Sequence, residues 1–280
     1  MSSAVGALFT IAGANFAGTG LRIDNAVGPP AFFGLACDLW EDFSTNATVA
    51  SGLLTSITER STNAAVLTGS IPYTPDAVGS LGGVSNNYGA SPASGFLSTA
   101  AGAKSVYDWN KPFSVSLAFI YGGCASGAGQ SIVVGAFAPS SEVGCGWALM
   151  PGANAAAFGA GKINILMDSF AGEPSGILVH GTLALTVGTL YRVHMTYDGS
   201  GTAAGLNLYI NGAQDTLVVY SSPALTSTWI SSSSPQGFGN FSATAADSMY
   251  GTLLEVFTVS RVYTSSDLTT ADGWLSARYS

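Results

Sequence analysis

The stretch Tyr197-Asp-Gly-Ser-Gly-Thr-Ala-Ala-Gly-Leu-Asn-Leu-Tyr-Ile-Asn-Gly212 decides the fold. Its second half, Leu206 to Ile210, alternates apolar and polar residues, the period of a strand with one buried face. Asn211-Gly212 follows at once, and Asp215-Thr-Leu-Val-Val-Tyr220 comes next. Two residues that tolerate positive φ between two such runs predict a type I′ β-hairpin.

Working outward, the same alternation recurs in Phe113–Tyr121, Leu183–Val187 and Tyr191–Tyr197. The separators, such as Tyr121-Gly-Gly-Cys-Ala-Ser-Gly-Ala-Gly129 and Pro151-Gly-Ala-Asn154, are turn-formers. Tyr250–Val259 reads as a long final strand and Ser265–Arg278 as a short capped helix, the only notable one expected. The pattern predicts an all-β, antiparallel jelly-roll sandwich. Residues 1–60 read differently, because the apolar clusters Leu8–Ile11, Ala31–Leu35 and Leu53–Ile57 are separated by irregular Gly, Asn and Pro stretches. They are expected to form an N-terminal arm or docking segment, or else the first strands of the sandwich that fills residues 61–280.

Composition narrows the partners. With 280 residues, 36 glycines, 9% charged residues and a net charge of −8, the chain can bury a large core but offers no basic patch for nucleic-acid phosphates. No run approaches the roughly 20 apolar residues of a membrane helix, so no membrane insertion is expected. A surface this poor in charge is a solubility liability unless neighbouring subunits cover it, which predicts a homo-oligomer. The opening MSSAVGALFTIAGANF lacks the basic residue that precedes the apolar stretch of a secretory signal, so synthesis in a cytoplasm is expected. Cys37, Cys124 and Cys145 are too few and too scattered for a disulfide framework or a dense metal site, although a Cys124–Cys145 bridge stays open.

Four motifs, in order, resemble the laminin-G-like, concanavalin A-like superfamily: Arg60–Ser70, a short polar segment leading into a small-residue strand that ends in Thr-Gly; Trp109–Leu117; Tyr191–Gly199 with Leu208–Gly212; and Gly237-Phe-Gly239 with Tyr250–Val256 and the terminal helix. The resemblance covers residues from about 60 to 280. It implies a sandwich of the kind found in lectins, glycanases, adhesion modules and bacteriophage virion proteins. It also implies calcium on the loops, for which Asp198, Asp168 and Asp247 are the carboxylate candidates, each alternatively a turn-forming Asp.

The chemistry of hydrolysis is not legible. Glycanases of this fold place two carboxylates on one strand face, whereas Glu255 is alone in its strand, Glu142 and Glu173 lie in loops, and Glu41 and Asp42 are adjacent and so face opposite ways. His180 and His194 read as ordinary strand histidines, and no serine triad can be picked out among so many serines. A sugar site would need an exposed aromatic platform beside amides, for which Trp147, Trp229, Tyr250 and Asn240 are the candidates. The expectation is a non-enzymatic structural protein of a virion, such as a capsid-decoration, head-fibre or tail-associated protein. Its expected partners are capsid or other virion proteins and cell-surface glycans, with no required cofactor. The alternative is a carbohydrate-binding module of a cell-surface or secreted protein.

Overall fold

Asn211 and Gly212 take φ of 51° and 80°, the paired left-handed residues of a type I′ turn, and Ile210 faces Ala213 across it. A computed structural model of the chain describes residues 37–58, 60–61, 66–86, 96–99, 110–123, 134–137, 146–151, 159–168, 176–225, 236–239 and 251–280.

Around the hairpin the described strands are β1 (Leu39–Asp42), β2 (Ala47–Ala50), β3 (Leu53–Thr58), β4 (Val66–Val78), β5 (Leu81–Asn86), β6 (Phe96–Thr99), β7 (Phe113–Tyr121), β8 (Val134–Phe137) and β9 (Gly146–Pro151). They continue as β10 (Ile163–Asp168), β11 (Ile177–His180), β12 (Leu190–Tyr197), β13 (Leu206–Ile210), β14 (Ala213–Asp215), β15 (Val218–Ser221), β16 (Gln236–Gly239) and β17 (Gly251–Val259), before helix α1 (Ser265–Arg278). All pairings are antiparallel. One sheet runs β14-β13-β12-β7-β17, with β1 and β5 sharing the far edge of β17. The other runs β2-β3-β4-β6-β16-β8-β9-β10-β11-β15. β4 belongs to both: up to Pro72 it pairs with β3, and from Tyr73 onward with β5.

Between the sheets lies an apolar core in which Phe113 packs against Trp147 at 5.3 Å and against Tyr197 at 5.6 Å between ring centroids. Each fully buried large side chain here contributes on the order of 2 kcal/mol by leaving water. β7 is buried on both faces rather than one. Its odd residues enter the sandwich core, while Ser114, Ser116 and Ala118 lie on the opposite face, which α1 covers. Small residues there let the helix come close.

α1 follows the predicted bounds. Thr264 caps it, accepting from Asp267 N while Asp267 accepts from Thr264 N, a reciprocal capping box. Its composition is poor for a helix, rich in Ser and Thr with Gly273 inside, so packing must hold it. Ala271, Trp274 and Leu275, at i, i+3 and i+4, bury one stripe against the sheet.

Of the two readings open for residues 1–60, the described part, residues 37–58, takes the second and supplies β1 to β3 of the sandwich; residues 1–36 lie outside the described part. Two expectations are corrected. The hairpin's return strand is only Ala213–Asp215, after which the chain crosses and Val218–Ser221 pairs with β11 in the opposite sheet. Leu183–Val187 is not a strand. Its backbone hydrogen bonds go elsewhere: Leu183 N donates to Asp215, Thr186 N to the Tyr191 hydroxyl and Leu185 N to Gly161 O, so no ladder forms.

Candidate functional site

Two polar clusters sit beneath α1. In the first, His194 on β12 places Nδ1 2.8 Å from Ser116 Oγ and Nε2 3.4 Å from Asp272 Oδ1 on α1. Arg192 also donates to Asp272, from Nε at 2.8 Å and Nη2 at 3.3 Å, and the Tyr263 hydroxyl lies 3.1 Å from Ser116 Oγ. These are the residue types of a serine triad, and the sequence had not brought them together. Ser116 and His194 are both 0% exposed, however, so no substrate reaches the hydroxyl. Burial lowers the His194 pKa, against the pull of Asp272, and keeps the ring neutral near pH 7. Burial also works to raise the Asp272 pKa, but hydrogen bonds from His194 and Arg192 outweigh it and bring the carboxyl down to about 2. The arrangement ties α1 to the sheet.

In the second cluster, Glu255 on β17 is 0% exposed and Oε1 accepts from both Trp40 Nε1 (2.7 Å) and Trp274 Nε1 (3.0 Å). Its Oε2 lies 3.0 Å from the Tyr279 hydroxyl and 3.3 Å from Arg278 Nε. Arg278 also reaches Asp42 at 2.7 Å, as does Arg60, whose guanidinium lies 4.2 Å from the centre of the Trp40 ring. Burial and the nearby Asp42 charge raise the Glu255 pKa to about 7, against Arg278 and the two indoles. This clasp joins β1, β17 and the end of α1. The sequence reading saw Glu255 as isolated; the missed signal was the scarcity of cations. Of eight Lys and Arg in the chain, Arg60, Arg192, Arg261 and Arg278 are each held by an Asp or Glu.

An open concavity among the described residues lies elsewhere, at the rim where the chain leaves one sheet for the other. A groove of about 710 Å³ runs between the short 3-10 turn Ala203–Gly205, the base of the β13–β14 hairpin and the crossover into β15. Thr202, Asn207, Gln214, Thr216 and Ser222 line it with hydroxyls and amides, over Leu217 and Val219. Its one charged wall residue is Asp215, whose oxygens already accept from Thr182 N, Thr182 Oγ1 and Leu183 N.

The sequence-predicted residues fall in different places. Asp198 closes a turn: its Oδ1 accepts from Ser200 N at 2.8 Å and lies so near Gly205 that a Cβ there would sit 1.9 Å away. Trp147 is not an exposed platform but a fully buried core residue on β9, because its position alternates into the sandwich opposite Phe113. Asp168 ends β10 opposite Gly146, well apart in sequence and strand from the Asp198 turn. Asp247, Trp229, Asn240 and Tyr250 lie outside the described residues, as do Cys124 and Cys145. Among the described residues no three His, Cys, Asp or Glu side chains gather as a metal site, and no helix is long and apolar enough to cross a membrane.

No protein-family model and no curated protein matches the chain. Solved structures do. The binding domain of botulinum neurotoxin serotype G superposes with a TM-score of 0.54 at 12% identity, over 86% of this chain and 51% of that one. The binding domain of Paraclostridial Mosquitocidal Protein 1 gives 0.52 at 13% identity, over 83% and 53%. A Trypanosoma rangeli sialidase gives 0.50 at 12%, over 84% of this chain but 32% of that one. The chain spans about half the length of these two binding domains. At these identities the likeness is one of fold, and the fold is an all-β sandwich.

Proposed function

We propose that the chain is a non-enzymatic recognition and display module of a virion, a capsid-decoration, head-fibre or tail-associated protein of a bacteriophage that works as a homo-oligomer. The observation that carries the non-enzymatic part is the sealing of reactive side chains: Ser116, His194 and Glu255 are buried under α1, while Asp215, the one acidic residue lining the rim groove, already accepts hydrogen bonds from Thr182 and Leu183. A hydrolase needs a positioned acid–base pair that its substrate can reach. A display protein needs only a rigid frame and a surface. The virion assignment is supported by the composition, since half of the chain's few cations are spent on internal ion pairs and the outer surface is left poor in charge.

The test is assembly. Purified chain should sediment as an oligomer and co-sediment with capsid or tail particles assembled from the structural proteins encoded beside it. A monomer that leaves every such particle undecorated would overturn the virion reading. The second reading, a carbohydrate-binding module of a cell-surface or secreted protein, is favoured by the hydroxyls and amides that line the rim groove without any Lys or Arg.

A further inference from the structure

We propose that the rim groove between the Ala203–Gly205 turn and the β14–β15 crossover binds a neutral, hydroxyl-rich chain, an uncharged oligosaccharide, with Gln214, Asn207 and Ser222 as its polar contacts. The inference rests on the recognition role proposed above and gives it a place and a ligand chemistry.

The argument is an inventory of hydrogen-bonding capacity. Gln214, which lines the groove, donates one amide hydrogen to Asn207 Oδ1 at 3.2 Å, which leaves its carbonyl oxygen and its second N–H available. Asn207 in turn donates one hydrogen to Thr196 Oγ1 at 3.4 Å and keeps the other. Ser222 Oγ accepts from Ala203 N at 3.3 Å, so its own hydrogen remains to be donated.

The groove thus offers both donors and acceptors, with Asp215 as its one charged lining residue. Vicinal hydroxyls, each both donor and acceptor, match such a lining. A phosphate or carboxylate does not, because no Lys or Arg lines the groove and the Asp215 carboxylate on its wall would repel an anion. Leu217 and Val219, the latter 53% exposed, give the C–H face of a sugar ring an apolar surface to cover.

The experiment uses the full chain, labelled with 15N and titrated with neutral hexasaccharides of glucose, mannose and galactose, and with a sialylated oligosaccharide as the anionic probe. At least one neutral hexasaccharide should move the Gln214 and Asn207 side-chain amide signals, and the sialylated probe should not. Gln214→Ala and Ser222→Ala should each weaken that binding about tenfold, the loss expected for one buried polar contact left unmet. Both variants change exposed side chains, so unchanged thermal melting would show that the fold persists. Shifts that bypass the groove, a preference for the anionic probe, or no response to any neutral hexasaccharide would each overturn the inference. Particle co-sedimentation reads the virion proposal separately, so either can fail alone.

Discussion

The polar side chains under α1 and those at the β13–β15 rim meet opposite fates, although both sit beside the same antiparallel sheet. Under the helix, Glu255, Asp42, His194 and Ser116 are taken out of water and each finds a close partner. At the rim, Gln214, Asn207 and Ser222 satisfy only part of their capacity and keep the rest facing solvent. A buried polar group left unmet costs about 1–3 kcal/mol, whereas an exposed one is met by water. The first arrangement is therefore built for holding and the second for exchange.

Removing a cation from the buried side should produce the largest break in this contrast. Arg278→Met takes away the guanidinium shared by Glu255 and Asp42 and leaves carboxylates in a low-dielectric layer. Breaking a buried pair from one side costs about 3–5 kcal/mol. Urea unfolding of the variant should show a midpoint lowered accordingly; a loss under about 1 kcal/mol would mean that the clasp is far better hydrated than its burial indicates.

Next in size is a pH effect. The Glu255 carboxyl has its pKa raised to about 7 from 4.5, first by burial and then by the charge of Asp42. A carboxyl whose folded pKa is raised binds its proton more tightly when folded. Its contribution is complete below the unfolded value and lost as pH climbs through the folded one. Between about pH 5 and 8 the wild type should lose stability. Glu255→Gln should be flatter over that window, since an amide oxygen still accepts from Trp40 and Trp274 and the amide N–H can donate to the Tyr279 hydroxyl. Parallel pH profiles for the two proteins would show that another group governs the slope.

A smaller change should come from the start of α1. Thr264→Ala removes the hydroxyl that accepts from Asp267 N, at a cost of about 1 kcal/mol. The helix should fray at that end first, seen as faster amide exchange at Asp267 and Leu268 with little change near Trp274.

How much of this was legible beforehand depends on whether the cause is local. The Asn211-Gly212 turn, the β7, β12, β13 and β17 strands and the bounds of α1 are all local matters of φ, alternation and capping, and each can be read from neighbouring residues. Leu183–Val187 alternates as well as any strand, yet its backbone is held by Asp215, Tyr191 and Gly161, none of which its own sequence names. Trp147 looks like a ligand platform only until its facing partner, Phe113, is known. The clasp is the extreme case: Trp40, Asp42 and Arg60 lie about two hundred positions before Glu255 and Arg278, and their meeting depends on β1 pairing with β17.

The smallest effect is the most discriminating one for the rim. Gln214 is exposed, and its one hydrogen bond to a protein group, 3.2 Å to Asn207, lies in reach of water on both sides. Gln214→Ala should therefore change the unfolding free energy by no more than about 0.5 kcal/mol, as an exposed substitution with no packing role does. The same logic applied beneath α1 gives an opposite outcome, because there every polar contact also closes the layer. A loss above about 1 kcal/mol for Gln214→Ala would mean that the rim amides brace the β13–β14 hairpin as the clasp braces α1. In that case their spare capacity would be structural slack, and the rim would have to be grouped with the region it has been contrasted with.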